Sequence, residues 1–345
     1  MKKNYMNYSV WHLINDPDPT RGGAQRILDL LNSSSVQVFS KLSYGGVLTK
    51  FLPKKIRWIL YLSLQILAKP PQVVYIHSRC FLPFVFLFNV LNVRTVFYGH
   101  AHYRTGNWMF STFKCREYIA VSKAVRDYFV ELGIPTSKIQ VIYNPYMGGD
   151  YIQCPPPLTS PLRVGSIGSL HTWKGFDKAI KLLERFARNN ELPLQYKIIG
   201  RGPELDQLSK QASVLPPEIN VAFLGYKQAP YSCLTDTPII IIPSLEEGFG
   251  LIAIEAIYQG KILIFSDIPA LREICSNDPI SFAFNVHAPE SFSLALKSAM
   301  TSLPKTQNIE LIEKRKTYVL EKFGLERFLN SHQLFLERQL QTTST

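Results

Sequence analysis

Short apolar runs and amphipathic stretches alternate along almost the whole chain. In the first half the runs fall at residues 9–14, 36–39, 73–76, 95–98, 118–121 and 140–143. In the second half they fall at 162–167, 194–199, 221–224, 239–242 and 262–265. Apolar runs this short and this continuous suit strands buried on both faces, as in a parallel sheet. Between them come helical spacings, such as Ile27, Leu28, Leu30 and Leu31, or Ala179, Ile180, Leu182 and Leu183. Strands alternating with helices predict an α/β fold with right-handed crossovers. Helices are expected at 56–67, 289–303, 309–318 and 323–340, and the apolar stretch 81–93 reads as a buried helix too short to span a bilayer.

At residues 151–161 four prolines in eight residues exclude a helix and mark a stiff linker. With 345 residues available, two domains are expected. They are an N-terminal domain at 1–153, a linker at 154–161, a second domain at 162–324 and a last helix at 325–345.

The stretch 243–256, PSLEEGFGLIAIEA, carries the most chemistry. An apolar run stops at Pro243, a loop with Gly248 and Gly250 follows, and a helical pattern opens at Leu251. A strand, a glycine-bearing turn and a helix start place this loop at the carboxyl edge of a parallel sheet. The helix start offers N–H groups and partial positive charge to a phosphate. Glu247 and Glu255 bracket the loop, and a carboxylate beside a phosphate site suits hydroxyl groups. A nucleotide-sugar satisfies both demands.

Glu247, Gly248, Phe249, Gly250, Glu255 and Ala256 resemble the E-x7-E signature of glycosyltransferase family 4, retaining enzymes of GT-B fold. The resemblance implies two doubly wound Rossmann-like domains facing a cleft, with a C-terminal helix crossing back to the N-domain. It gives Glu247 to the donor sugar and Glu255 to the ribose, with the amides of Phe249, Gly250 and Leu251 around the phosphates. Lys174, in Trp173-Lys174-Gly175, matches the family's phosphate lysine, whereas the family's arginine position holds Ser169. Arg201, after the next strand, is the candidate to supply that missing charge. Gly22 and Gly23 resemble the glycine pair after the first strand. His100 resembles the N-domain histidine near donor sugar and acceptor, with His102 and His77 as further candidates. Ser122-Lys123-Ala124 resembles the family's capped helix start, and Asn144-Pro145 its last N-domain turn. Residues 227–233 stand where the family has a clear helix, and their composition does not read as one.

Charge adds one more element. The whole chain carries +12, of which residues 1–158 contribute 18 basic minus 7 acidic residues, or +11. Between Leu30 and Arg116 there are eleven basic residues and no acidic one. Such a field attracts an anionic membrane or a phosphorylated acceptor. Lys54, Lys55, Arg57 and Trp58, at the start of the helix 56–67, could seat it on lipid headgroups. No nucleic-acid-reading motif accompanies the charge. Asp16 and Asp18, a D-x-D pair, lie in a proline-punctuated loop and read as turn chemistry rather than a metal site. Five scattered cysteines without a C-x-x-C pair give no metal or disulfide framework and suit a reducing cytoplasm.

The expectation is a metal-independent, cofactor-free glycosyltransferase in the cytoplasm or at the inner face of the plasma membrane. It would move a sugar from a UDP or GDP donor to a saccharide or lipid-linked acceptor for surface polysaccharide or lipopolysaccharide. The alternatives are a GT-B epimerase or phosphorylase, and a non-catalytic basic lipid- or nucleic-acid-binding module.

Overall fold

A computed structural model describes residues 9–18, 23–31, 36–40, 54–152 and 160–341. The chain forms two compact units. One runs to Asn144 and resumes from Phe328, and the other is Pro145–Arg327.

The first unit holds a parallel sheet of β1 (Val10–Ile14), β2 (Val36–Ser40), β3 (Val73–Ile76), β4 (Arg94–Gly99), β5 (Glu117–Ala120) and β6 (Ile139–Val141), in the order β2-β1-β3-β4-β5-β6. The order reverses at β1, so the switch point lies at the carboxyl ends of β1 and β3. Every residue of β1 and β3 is buried, as continuous apolar runs require. The helix Leu325–Gln341 packs its buried face, Phe328, His332, Phe335 and Leu336, within this unit. Phe335 lies 6.5 Å from Tyr75 between ring centroids, and the Tyr98 hydroxyl is 2.9 Å from Nε2 of His332.

Three local expectations are sharpened or corrected here. Ser122 caps the helix Lys123–Glu131 by accepting from the Val125 N–H at 3.1 Å. Asp16 accepts from the Asp18 N–H at 3.1 Å, the turn chemistry expected of that pair. Residues 81–93 are not one buried helix. A 3-10 turn, Arg79–Phe84, passes into a short helix, Val85–Val90, because Pro83 cannot continue a hydrogen-bond ladder. Phe86 and Val90 are left exposed.

The second unit repeats the architecture with β7 (Leu162–Ile167), β8 (Leu194–Ile199), β9 (Ile219–Phe223), β10 (Ile239–Ile242), β11 (Ile262–Ser266) and β12 (Ser281–Phe284), in the order β12-β11-β10-β7-β8-β9. This is the doubly wound order of a dinucleotide-binding fold, and its switch point lies between β7 and β10. The four isoleucines of β10 are all buried. The helix Phe176–Asn189 covers the sheet with Phe176, Ile180, Leu183 and Phe186, each buried side chain stabilising by about 1.5–3 kcal/mol. Residues 227–233 form only a single 3-10 turn, Pro230–Cys233.

The chain changes unit at Asn144, earlier than the expected linker 154–161, of which residues 154–159 lie outside the described residues. Pro145 to Ile152 belong to the second unit because they bond there. The Tyr146 N–H donates to the Phe323 carbonyl at 2.7 Å, and the Ile152 N–H donates to the Gln259 side chain at 3.0 Å.

Candidate active site

In an open α/β sheet, ligands bind outside the carboxyl ends of the strands at the switch point. In the second unit that place is made by the loops after β7 and β10. They are tied together where the Leu245 N–H donates to the Trp173 carbonyl at 2.8 Å. Gly175 has φ +67°, and a Cβ there would stand 2.2 Å from the Pro243 carbonyl oxygen. Only glycine allows the two loops to approach this closely.

That approach brings Lys174 and Glu247 together. The Lys174 ammonium donates to Oε1 of Glu247 in a short ion pair, and the Ser244 hydroxyl donates to the same oxygen at 2.8 Å. Both charged side chains are partly buried, at 20% and 15% exposure. A cation and a carboxylate fixed at one mouth can serve a phosphate and a hydroxyl side by side.

The motif loop then turns into the helix Leu251–Tyr258 through Gly250, whose φ of +110° a side chain would rarely adopt. Phe249 is buried against Phe323, with ring centroids 5.6 Å apart. It therefore anchors the loop through its side chain and offers a ligand only its backbone. Gly248 is buried and Leu251 half-buried beside it. The first-turn N–H groups of a helix have no carbonyl within the helix to bond and suit an anion.

Glu255 lies inside that helix and is 3% exposed. Its negative charge helps to raise the pKa of the buried Tyr231 hydroxyl, after burial itself, and contributes likewise at Tyr146. Tyr231 comes from the 3-10 turn Pro230–Cys233, and its hydroxyl donates to the Ile252 carbonyl at 3.3 Å. The atypical segment 227–233 thus delivers an aromatic wall to the carboxylate. No motif in the sequence signalled this.

Ser169 and Arg201 sit on neighbouring loops, after β7 and β8. The Leu170 N–H donates to the Arg201 carbonyl at 2.9 Å, and the Gly168 N–H to the Ile199 carbonyl at 2.9 Å. The Arg201 side chain is exposed, with its guanidinium 5.1 Å from the Tyr226 ring centre.

In the first unit, His100 follows β4 at the carboxyl edge. Its Nε2 lies 2.8 Å from Nδ1 of His77, and Nε2 of His77 lies 2.8 Å from Nδ1 of His12. His102 turns instead to the Ala124 carbonyl, 3.2 Å from its Nε2, and stacks on Tyr128. Gly23 begins the helix Gly23–Leu31, whereas Gly22 lies outside the described residues. Among the described residues, no three His, Cys, Asp or Glu side chains are grouped to hold a metal ion.

Family comparison agrees with this architecture in both units. The family described as Glycosyl transferases group 1 matches residues 156–316, and Glycosyltransferase Family 4 matches residues 18–146. The chain belongs to the group 1 glycosyltransferases of family 4. Among curated relatives of this glycosyltransferase, the Escherichia coli O-antigen biosynthesis glycosyltransferase WclY is 26% identical over 181 residues, 50% of this chain and 49% of that protein. The lipopolysaccharide 1,6-galactosyltransferase of Salmonella typhimurium is 25% identical over 166 residues, 47% of this chain and 44% of that protein. The matches to these two relatives thus span about half of the relatives' own length. Among solved structures, Anabaena HepE in complex with UDP and glucose superposes with a TM-score of 0.73 at 18% identity, covering 96% of this chain and 99% of that one. The lipopolysaccharide outer core galactosyltransferase WaaB gives 0.68 at 16% identity, covering 95% and 99%. The two six-stranded sheets are therefore those of the GT-B glycosyltransferases.

Proposed function

We propose that this glycosyltransferase moves a hexose, with retention of configuration, from a UDP or GDP donor to a saccharide or lipid-linked acceptor of a lipopolysaccharide or O-antigen type polymer. The observation that carries the proposal is the Lys174–Glu247 pair at the switch point of the second sheet. The bond broken joins the anomeric carbon to the donor diphosphate, and the bond made joins that carbon to an acceptor oxygen. Negative charge grows on the departing diphosphate. In this reading Lys174 and the helix start at Leu251 stabilise it without a metal ion. Arg201, bonded through its backbone to the loop carrying Ser169, adds the cation that Ser169 lacks. Glu247 holds donor-sugar hydroxyls and Glu255 the ribose. Relatives named for O-antigen and lipopolysaccharide synthesis support the polymer class, and HepE, solved with UDP and glucose, supports the donor class.

A lipid-borne acceptor suits the first unit. The helix Lys54–Ala68 exposes Ile59, Leu60, Leu64 and Leu67, the last three at the spacing of one helix face. Trp58 does not share that exposure. Its ring packs on Phe81 at 5.4 Å and Phe84 at 5.7 Å, so the apolar row rather than the tryptophan is the surface for acyl chains. No helix among the described residues is long and apolar enough to cross a membrane.

The test is a transfer assay with a panel of UDP- and GDP-hexoses, lipopolysaccharide core oligosaccharides and diphosphate-lipid saccharides, in EDTA and in Mg²⁺. The expected result is one donor consumed only with acceptor, equally in both buffers, and a product whose anomeric coupling matches the donor. Consumption without acceptor, yielding an epimer or a sugar phosphate, would contradict transfer.

A further inference from the structure

Beneath His100 lies a chain of imidazoles with no counterpart in the chemistry assigned to the second sheet. It is built by strand periodicity. Tyr75 and His77 belong to one strand end, and Tyr98 and His100 to the next. The register pairs Tyr75 with His12, and Ile76 with Phe97. Alternation then sets His12, Tyr75, His77, Tyr98 and His100 on one face of the sheet. The rings stack as a staircase, with centroids 5.1 Å apart for His12–His77, 5.1 Å for His77–His100 and 4.5 Å for Tyr98–His100.

A neutral imidazole has one N–H and one lone pair. His77 uses both nitrogens, one toward His12 and one toward His100, so one of its bonds is donated and the other accepted. If His77 donates from Nδ1, then His100 accepts at Nε2 and carries its proton on Nδ1, while His12 donates from Nδ1. If His77 donates from Nε2, all three protons sit on Nε2. The three rings therefore share one tautomer. Burial holds them neutral. His12 and His100 are lowered to about 3, and His77 well below its ordinary value, by burial first and then by His12, His100 and His332. The one nitrogen of the chain left over at its His100 end is Nδ1 of His100, which is buried and has no hydrogen-bond partner among the described residues.

We propose that His12 and His77 are positioning residues. Through the two imidazole–imidazole hydrogen bonds they fix the ring of His100 and tie its tautomer to their own, so that its Nδ1 meets a sugar or acceptor hydroxyl as a single defined hydrogen-bonding group. The role rests on the reading of His100 as a substrate-contacting residue. A hydroxyl both donates and accepts, so it can pair with either tautomer, but only with a ring that does not turn.

The experiment uses ¹⁵N-histidine-labelled full-length protein and three variants. An asparagine amide reaches about where histidine Nδ1 stands, and a glutamine amide about where Nε2 stands. His77→Asn keeps a partner for His100 and loses His12, whereas His77→Gln keeps His12 and loses His100. Ring-nitrogen spectra of the wild type are expected to show the same protonated nitrogen in His12, His77 and His100. His77→Gln should convert His100 to a tautomer mixture and lower kcat at least tenfold, with KM for the UDP- or GDP-hexose selected in the transfer assay changed less than threefold. His77→Asn, which holds the His100 ring but cuts it off from His12, should lower kcat less than His77→Gln does. Rings of different tautomer in the wild type, or a His100 spectrum untouched by His77→Gln, would overturn the coupling. Wild-type turnover by His100→Ala would overturn the premise about His100, and the positioning role with it, whatever the ring spectra show.

Discussion

Lys174 and Glu247 stand 73 residues apart in sequence and meet as an ion pair at the point where the second sheet reverses its strand order. Partly exposed pairs contribute about 0–1 kcal/mol to stability, so fold stability does not account for the arrangement. Lys174→Met is expected to leave the melting temperature within a few degrees and to lower kcat by about 10²–10³-fold, the loss found when one preorganised charge donor is removed. Steady-state kinetics beside a thermal melt checks both halves. Ser244→Ala, which removes only the second bond to Oε1 of Glu247, should cost less than tenfold.

Arg201 is predicted to matter to turnover although its side chain is exposed. Arg201→Ala should lower kcat by tenfold or more, and Ser169→Arg introduced into the Arg201→Ala protein should restore part of it. The rescue in the double variant is the decisive comparison, because a merely solvated arginine would show neither loss nor rescue.

The close approach of the loops after β7 and β10 depends on Gly175. Gly175→Ala places a Cβ against the Pro243 carbonyl at a positive φ, at a cost of about 1–3 kcal/mol. Lower stability in urea titration, together with weaker nucleotide binding, is the expected result. Gly225→Ala also has a positive φ, but there a Cβ meets nothing within 4 Å. It is the control that should keep nucleotide affinity.

Acid should unfold the first unit early. His12 and His332 have pKa values lowered from 6.5 to about 3, and His77 moves the same way, all because burial disfavours the charged ring. A base whose folded pKa is depressed is neutral in the folded chain while the unfolded chain already takes a proton. The stability these groups contribute is therefore complete above pH 6.5 and is lost as pH falls from 6.5 toward 3. Each excluded proton costs about 1.4 kcal/mol per pH unit across that window. Urea unfolding between pH 7.5 and 5 is expected to show the decline, and His332→Phe should shallow it.

Much of this molecule was legible in its sequence because the strands are buried on both faces. Ile239–Ile242 can be read as a strand from four isoleucines alone, and the loop that follows announces itself through Gly248 and Gly250. Strand β12 and the helix Pro269–Cys275 escaped that reading. The strand is a four-residue edge with mixed burial, and the helix spans two turns, so neither sustains a periodic signal. Residues 81–93 misled in the opposite direction, since their apolar composition outweighed the interruptions at Pro83, Asn89 and Asn92. The Tyr231 wall around Glu255 depends on where a 3-10 turn lands, which no local pattern encodes. The imidazole chain did leave a trace, the repeated Tyr-x-His at 75–77 and 98–100. It becomes informative only when the two strands are known to be neighbours.

The most direct measurement is calorimetric titration of UDP and GDP into the wild type and Lys174→Met, each in EDTA and in Mg²⁺. A nucleotide-sugar site at the second switch point predicts saturable binding of one of the two diphosphates, unchanged by the metal and weakened at least tenfold by Lys174→Met. Binding absent from the folded wild type for both nucleotides, or equal in the two proteins, would contradict the placement of the donor between β7 and β10.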